Sequence, residues 1–320
     1  MNYKPIIIVA GEPRSIFLEI FFKTLKIKRF KSPIILLASK KLVLYQMKML
    51  NFKFSINEIE LKKYKEFKLY KNKINLINID LKDYSSSKKI SSSSNNYIKK
   101  SFDIALNLID KRISNKLING PVSKKTFLKK KFLGITEYLA YKTKSKKYVM
   151  LIYNKNLSVS PITTHLPLKN VCKNINQKDI KDKIFLIKDF FEKLLNKKAI
   201  IAVAGLNPHC ESVNSFNEDE KILMPVIKNL KKIGLNISGP WPADTLFLKQ
   251  NRKKYNLIVG MYHDQVLTPI KTLFEYNAIN ITLGLPFLRV SPDHGTNEKM
   301  FGKNMSNPLS LIKSIEFLDK

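Results

Sequence analysis

Short runs of aliphatic and β-branched residues recur along the chain, separated by longer stretches in which apolar residues return every three or four positions. The short runs at 5–10, 33–38, 74–79, 117–122, 148–153, 159–164, 199–205, 256–261 and 278–283 read as buried strands. The stretches 16–26, 97–113, 178–195, 218–233 and 308–318 carry helical spacing. Strand and helix alternate, which predicts an α/β protein with a largely parallel sheet. Residues 83–96, with the serine runs SSSKK and SSSSNN, have no periodicity and are expected to form a mobile surface loop. No internal repeat is visible. No Gly-x-Gly-x-x-Gly follows a strand and opens a helix, so a dinucleotide bound here would need another kind of fold.

At 320 residues with 44% hydrophobic content, the chain can bury one large core or two ordinary ones, which suits a two-lobed enzyme and not a small binding module. The first twelve residues hold only a brief apolar run before Glu12, too short for a signal-peptide core or a membrane span, so a cytoplasmic protein without a membrane partner is expected. Cys172 and Cys210 are the only cysteines and lie far apart, which argues against a disulfide framework or a cysteine-rich zinc site. The charge is extreme: 58 Lys+Arg against 25 Asp+Glu, a net +33. The surplus is nearly all lysine and runs through the whole chain, mixed with Asn and Ile. That distribution fits the solvated faces of an enzyme better than a specific nucleic-acid surface, which would gather arginines and aromatics into a stripe.

Three of the four histidines end strand-like runs: His165 in SVSPITTH, His209 in AIIAVAGLNPH and His263 in LIVGMYH. In open α/β sheets the carboxyl ends of the strands share one edge, so these imidazoles can converge despite their distance in sequence. Three neutral imidazoles leave an open position on a divalent ion, the arrangement that grips a substrate hydroxyl or carbonyl. Each alone reads equally well as a buried, hydrogen-bonded histidine. His294, in SPDHGT, falls in a loop-like stretch outside the set. After His263, DQVLTPIK reads as a helical turn or two that puts Asp264 and Lys271 on one face, seven residues apart. Lys271 can accept a proton from a bound hydroxyl if its pKa is depressed, or serve as a phosphate-binding or salt-bridging lysine. Asp244, after two prolines in GPWPADT, can aim a carboxylate at a metal or act as a helix N-cap.

Taken in order, NGPVSK (119–124), TTHLPL (163–168), GLNPH (205–209), GPWPADTLF (239–247), YHDQVLTPIK (262–271) and NITLGLPFLRVSPDHGT (280–296) resemble the 4-hydroxythreonine-4-phosphate dehydrogenase family of vitamin B6 biosynthesis. The resemblance implies an isocitrate/isopropylmalate dehydrogenase-like fold. Two α/β/α lobes would flank a central cleft, residues 1–125 with 282–320 forming one and 126–281 the other. It further implies a homodimer with a shared active site, NAD or NADP as cofactor and one divalent ion per subunit (zinc, magnesium or cobalt) held by His165, His209 and His263. Thr136, Lys271, Asn280 and Arg289 would contact the substrate, and Asp293, Gly295 and Thr296 would lie at the cofactor. The implied reaction oxidises the C3 hydroxyl of 4-phosphooxy-L-threonine by hydride transfer, and the resulting β-keto acid loses CO2 to give 3-amino-2-oxopropyl phosphate.

Three departures mark this chain. Ile135 stands where the family has a histidine in Gly-His-Thr-Glu, which removes one hydrogen bond to substrate. GEPRSIFLE replaces a glycine-rich GDPAGIGPE-like segment, and NEKMFGK follows DHGT in place of the usual Ala-x-Asp-Ile-Ala pattern. Ile135 is also what would discriminate a paralogue acting on 4-phospho-threonate or phospho-erythronate. A basic nucleic-acid-binding protein that has lost catalysis is the reading from a different class. Salt-steep DNA binding without metal would mark it, and retention of all three histidines speaks against it.

Overall fold

The computed structural model describes residues 3–81, 92–128, 131–212 and 216–320. In chain order the elements are β1 (Ile6–Val9), α1 (Phe17–Ile27), β2 (Ile34–Ala38), α2 (Lys40–Met49), β3 (Ile56–Glu58), β4 (Ile74–Asn78), α3 (Asn95–Asp110), β5 (Lys116–Asn119) and α4 (Ile135–Lys142). There follow β6 (Val149–Tyr153), β7 (Ser158–Thr163), α5 (Gln177–Lys193), β8 (Ile201–Ala204), α6 (Met224–Lys232), β9 (Ile237–Trp241), α7 (Ala243–Leu246) and α8 (Lys249–Arg252). The chain closes with β10 (Leu257–Tyr262), α9 (His263–Phe274), β11 (Ile279–Leu283), β12 (Leu288–Pro292) and α10 (Leu309–Leu318). It divides into two compact units, Met1–Tyr138 with Pro286–Lys320, and Leu139–Leu285.

In the first unit the strands run β3-β4-β2-β1-β5-β12 and every pairing is parallel, with Ile7 opposite Ile35 and Leu117, and Arg289 opposite Leu117. β1 and β2 are apolar at every position and wholly buried, as strands covered on both faces must be. Ser39 caps α2 by accepting from the Leu42 N–H, and α10 packs on β12 and β5. In the second unit the order is β11-β6-β7-β10-β8-β9. The last four strands are mutually parallel, whereas β6 pairs antiparallel with both β11 and β7. Val159, Ala202, Ile258, Val266 and Ile270 form part of its core, and α9 lies against β7 and β10. Asn176 caps α5 through the Asp179 N–H at 2.9 Å.

The structure is therefore the α/β protein that the alternating pattern predicts. It adds β3, β9, β12, α2 and α4, none of which shows in the hydrophobic pattern. β9 reads ISGPW and β12 reads LRVSP, so prolines and a charge interrupt the apolar run that marks a strand. Of the loop expected over 83–96, residues 83–91 lie outside the described residues, Ser92–Ser94 form a 3-10 turn and α3 begins at Asn95. The helix expected over 218–233 opens as a π-helical turn, Asp219–Leu223, before α6.

Candidate functional site

The histidine-bearing turns all belong to the second unit. β7, β10 and β8 are consecutive, parallel neighbours, with Thr163 opposite Tyr262 and Val203 opposite Val259. His165 lies two residues past the end of β7, His263 is the first residue of α9 directly after β10, and His209 sits five residues past the end of β8. All three leave the same sheet edge, as the topology of parallel strands requires. The rings of His165 and His263 approach to 5.7 Å between centroids, tilted by 37°. Among the described residues no group of three or more His, Cys, Asp or Glu side chains closes around one point, so a single chain juxtaposes two of the expected ligands and leaves His209 outside that pair. The donor chemistry of the two imidazoles fits a borderline divalent ion.

Short hydrogen bonds shape these turns. The Asp264 carboxylate lies 2.6 Å from His263 Nδ1, which leaves Nε2 as the ring's outward nitrogen. Gln265 accepts from the Met261 N–H at 2.7 Å and donates to the Gly205 carbonyl at 2.6 Å, joining the His263 turn to the start of the His209 loop. Asp219 is fully buried. It accepts from the Leu206 N–H at 2.7 Å and from the Asn207 N–H and Nδ2 at 3.0 Å each. A Cβ on Gly205 would stand 2.5 Å from Cys210 Sγ and 3.0 Å from Asp219 Oδ1, so only glycine lets this loop close. His209 and Cys210 both adopt left-handed backbone, with φ of 57° and 63°. Burial, reinforced by Asp219, pushes the Cys210 thiol up to about 11, which keeps it protonated and unreactive near neutrality. No sequence signal marks Gln265 or Asp219; the latter hides in the acidic run NEDE.

The other candidates of this unit are more dispersed. Asp244 is exposed on the short helix α7, where Pro242 holds the N-cap position and the Asp244 carboxylate accepts from the Thr245 N–H at 2.8 Å. Lys271 is exposed on α9, two turns beyond Asp264 and on the same face. Asn280 lies on β11 opposite Ile152, and its Oδ1 is buried without a hydrogen-bond partner among the described residues.

In the first unit Arg289 is 1% exposed, the largest fully buried side chain among the described residues. Its Nε donates to Asn119 Oδ1 at 2.8 Å and Nη1 to Thr136 Oγ1 at 3.3 Å. Burial pulls the guanidinium down to about 10, partly opposed by Glu137. Arg289 and Thr136 are thus brought together, with Asn119 as a third member that sequence reasoning missed.

Asp293, Gly295 and Thr296 follow β12, and the Ile16 N–H donates to the Thr296 carbonyl at 3.2 Å. His294 stacks on Phe17 with centroids 6.3 Å apart. Beside this segment Glu12 is 3% exposed and accepts from Ser94 Oγ at 2.9 Å, while its second carboxylate oxygen is buried without a partner among the described residues. Burial, with a contribution from Glu298 and against the Ser94 hydrogen bond, raises Glu12 to about 7. An unsatisfied buried acceptor next to the segment expected at the cofactor is compatible with a hydroxyl-rich ligand there.

Comparison with known proteins places these features in context. The sequence pattern of the family described as "Pyridoxal phosphate biosynthetic protein PdxA" matches residues 29–318. A 4-hydroxythreonine-4-phosphate dehydrogenase from a Sulfurihydrogenibium species is 37% identical over 315 residues, covering 97% of this chain and 95% of the relative. A D-threonate 4-phosphate dehydrogenase from Pectobacterium atrosepticum is 36% identical over 184 residues, 57% of this chain and 56% of that one. The crystal structure of a 4-hydroxythreonine-4-phosphate dehydrogenase from Klebsiella pneumoniae superposes with a TM-score of 0.83 at 28% identity, covering 98% of both chains.

Proposed function

The chain belongs to the PdxA family of pyridoxal phosphate biosynthetic proteins and is an oxidoreductase, and from that membership we propose that it oxidises 4-phosphooxy-L-threonine with NAD or NADP as hydride acceptor. The product is a 2-amino-3-oxo acid that loses CO2 to give 3-amino-2-oxopropyl phosphate. The observation that carries the reading is the meeting of His165 and His263 at the carboxyl ends of adjacent parallel strands. In this proposal those two rings and His209 hold one divalent ion per subunit, in a homodimer whose active site is shared. Such an ion, when bound, polarises the substrate hydroxyl and stabilises the charge left on its oxygen.

The chain's own groups supply the rest. Asp264 orients His263, and Gln265 fixes the turn that presents it. Lys271 and Asp244 are the proposed proton acceptor and orienting carboxylate on the solvent side. Arg289 and Thr136, with Asn280, are the proposed substrate contacts. Asn119 holds the Arg289 fork in place so that little rotamer entropy is lost when an anion docks. Asp293, Gly295 and Thr296, with the Glu12 carboxyl beside them, are proposed to receive the nicotinamide cofactor.

A related substrate has a specific observation in its favour. Ile135 opens α4 directly before Thr136, so an apolar side chain stands next to the Arg289 cluster where the family has an imidazole. That supports a phospho-threonate or phospho-erythronate as second reading. The test is NADH formation from purified protein with 4-phosphooxy-threonine and, separately, 4-phospho-threonate, alongside bound-metal analysis and the His209→Ala variant. Metal retained and turnover unchanged in His209→Ala overturns the ligand assignment. Preference for phospho-threonate decides for the second substrate.

A further inference from the structure

At the end of the first unit's sheet opposite Glu12, Asn119 and Asp293, a cavity of about 180 Å3 opens beside Ile34 and Ile74, the first residues of β2 and β4. Its inner wall is apolar, formed by Phe21 and Leu25 of α1 together with Phe54. A void of roughly 150 Å3 lined by such groups is large enough for one benzene-sized ring.

The mouth has a different chemistry. Lys28, Arg29, Lys71 and Lys73 all line it. Lys28 pairs with Glu316, but Arg29 has no ion-pair or hydrogen-bond partner among the described residues. Lys71 and Lys73 rest on the rings of Tyr3 and Tyr70, at 5.9 and 4.6 Å, and not on carboxylates. The nearby Asp319 carboxylate is already occupied by the Lys31 and Ser32 amides, at 2.9 and 2.6 Å. Four cations against two carboxylates, Glu316 and Asp319, leave a net positive charge that attracts an anion. Independently, Ser32 is 2% exposed, lines the cavity and buries a hydroxyl with no hydrogen-bond partner among the described residues, an arrangement that costs free energy until a ligand or water uses it.

We infer that this cavity is a binding site for a small aromatic phosphate, its single ring against Phe21, Leu25 and Phe54 and its phosphate among Arg29, Lys71, Lys73 and the Ser32 hydroxyl. Arginine offers a planar fork to phosphate oxygens, and the buried hydroxyl supplies a donor where water is excluded. The site is independent of the proposed active-site turns, which belong to the second unit.

Isothermal titration of the full-length protein with phenyl phosphate tests the assignment. Saturable binding at a dissociation constant of about 1 mM or tighter is expected, with inorganic phosphate at least about tenfold weaker because it leaves the apolar wall unused. Arg29→Glu/Lys73→Glu should weaken phenyl phosphate at least about tenfold, and Leu25→Trp, which fills the cavity, should abolish binding. Lys178→Glu/Lys197→Glu, an equal charge change on the other unit, should alter it by no more than about twofold. Binding should survive in His263→Ala. Circular dichroism establishes that each variant is folded. The inference is overturned by absent binding, by equal affinity for inorganic phosphate, by equal weakening in the two charge-reversed doubles, by binding that survives Leu25→Trp, or by loss of binding in His263→Ala.

Discussion

The Arg289 cluster of the first unit and the His165–His263 pair of the second solve opposite problems. Arg289 is a charge removed from water, held in the middle of a strand register and matched by Asn119 and Thr136. His263 keeps a third of its side chain in solvent and Asp264 keeps 81% of its own, on a turn beyond the sheet edge. A desolvated charge is tied to folding stability, because any unmatched donor costs the full loss of hydration. A partly exposed imidazole beyond a strand end contributes little to the fold. The same chain thus buries one polar cluster and leaves one imidazole–carboxylate pair close to solvent.

This contrast can be broken by substitution. The largest effect is expected from Asn119→Ala, which leaves the buried Arg289 Nε–H without its acceptor and should cost about 3 kcal/mol in denaturant unfolding. A loss below about 1 kcal/mol would show that the cluster is not bound to stability. Next comes Asp264→Ala. It should change unfolding by no more than about 0.5 kcal/mol, since the carboxylate is exposed, while weakening zinc affinity in a chelator competition by about 10–100-fold through loss of ring orientation. A stability loss with unchanged metal affinity would reverse the comparison.

The smallest effect concerns Glu12, a buried group beside the proposed cofactor segment. Its folded pKa of about 7 stands above the ordinary 4.5, so the folded state favours the protonated carboxyl. The stability this contributes is present below about pH 4.5 and is lost as pH rises to about 7. Glu12→Gln should abolish that slope, melting with the parent protein at acid pH and roughly 3 °C above it at pH 8. Parallel melting curves for the two proteins across this window would remove Glu12 from the account.

How much of this could be read from the chain alone follows the same division. The histidines stood out because each ends a run of apolar, β-branched residues, and parallel pairing of β7, β10 and β8 brings those ends to one edge. The approach of His165 to His263 follows from that topology, whereas His209, five residues beyond its strand, stays outside the pair. The Arg289 cluster was legible only as a resemblance. β12 carries a charge and ends in proline, which hides it among loop-like sequences, and no local pattern joins Asn119 to a residue on a strand formed much later in the chain. Asp219 and Gln265 escaped for a similar reason. Acidic and amide side chains are common on surfaces, and what distinguishes these two is the backbone groups they meet after folding. Helix α2 was missed because its stretch KKLVLYQMKM interleaves lysines with apolar residues so that no clear apolar stripe emerges.

The absent side chain at Gly205 has a consequence for how this loop can change. The room a methyl group would need is already taken by the sulfur of residue 210 and an oxygen of residue 219, and the carbonyl of the same glycine is gripped by residue 265. Enlarging this bare backbone position by a single carbon therefore forces residues 210 and 219 to shift together. A side chain at this position is accommodated only together with matching changes at its two crowding neighbours.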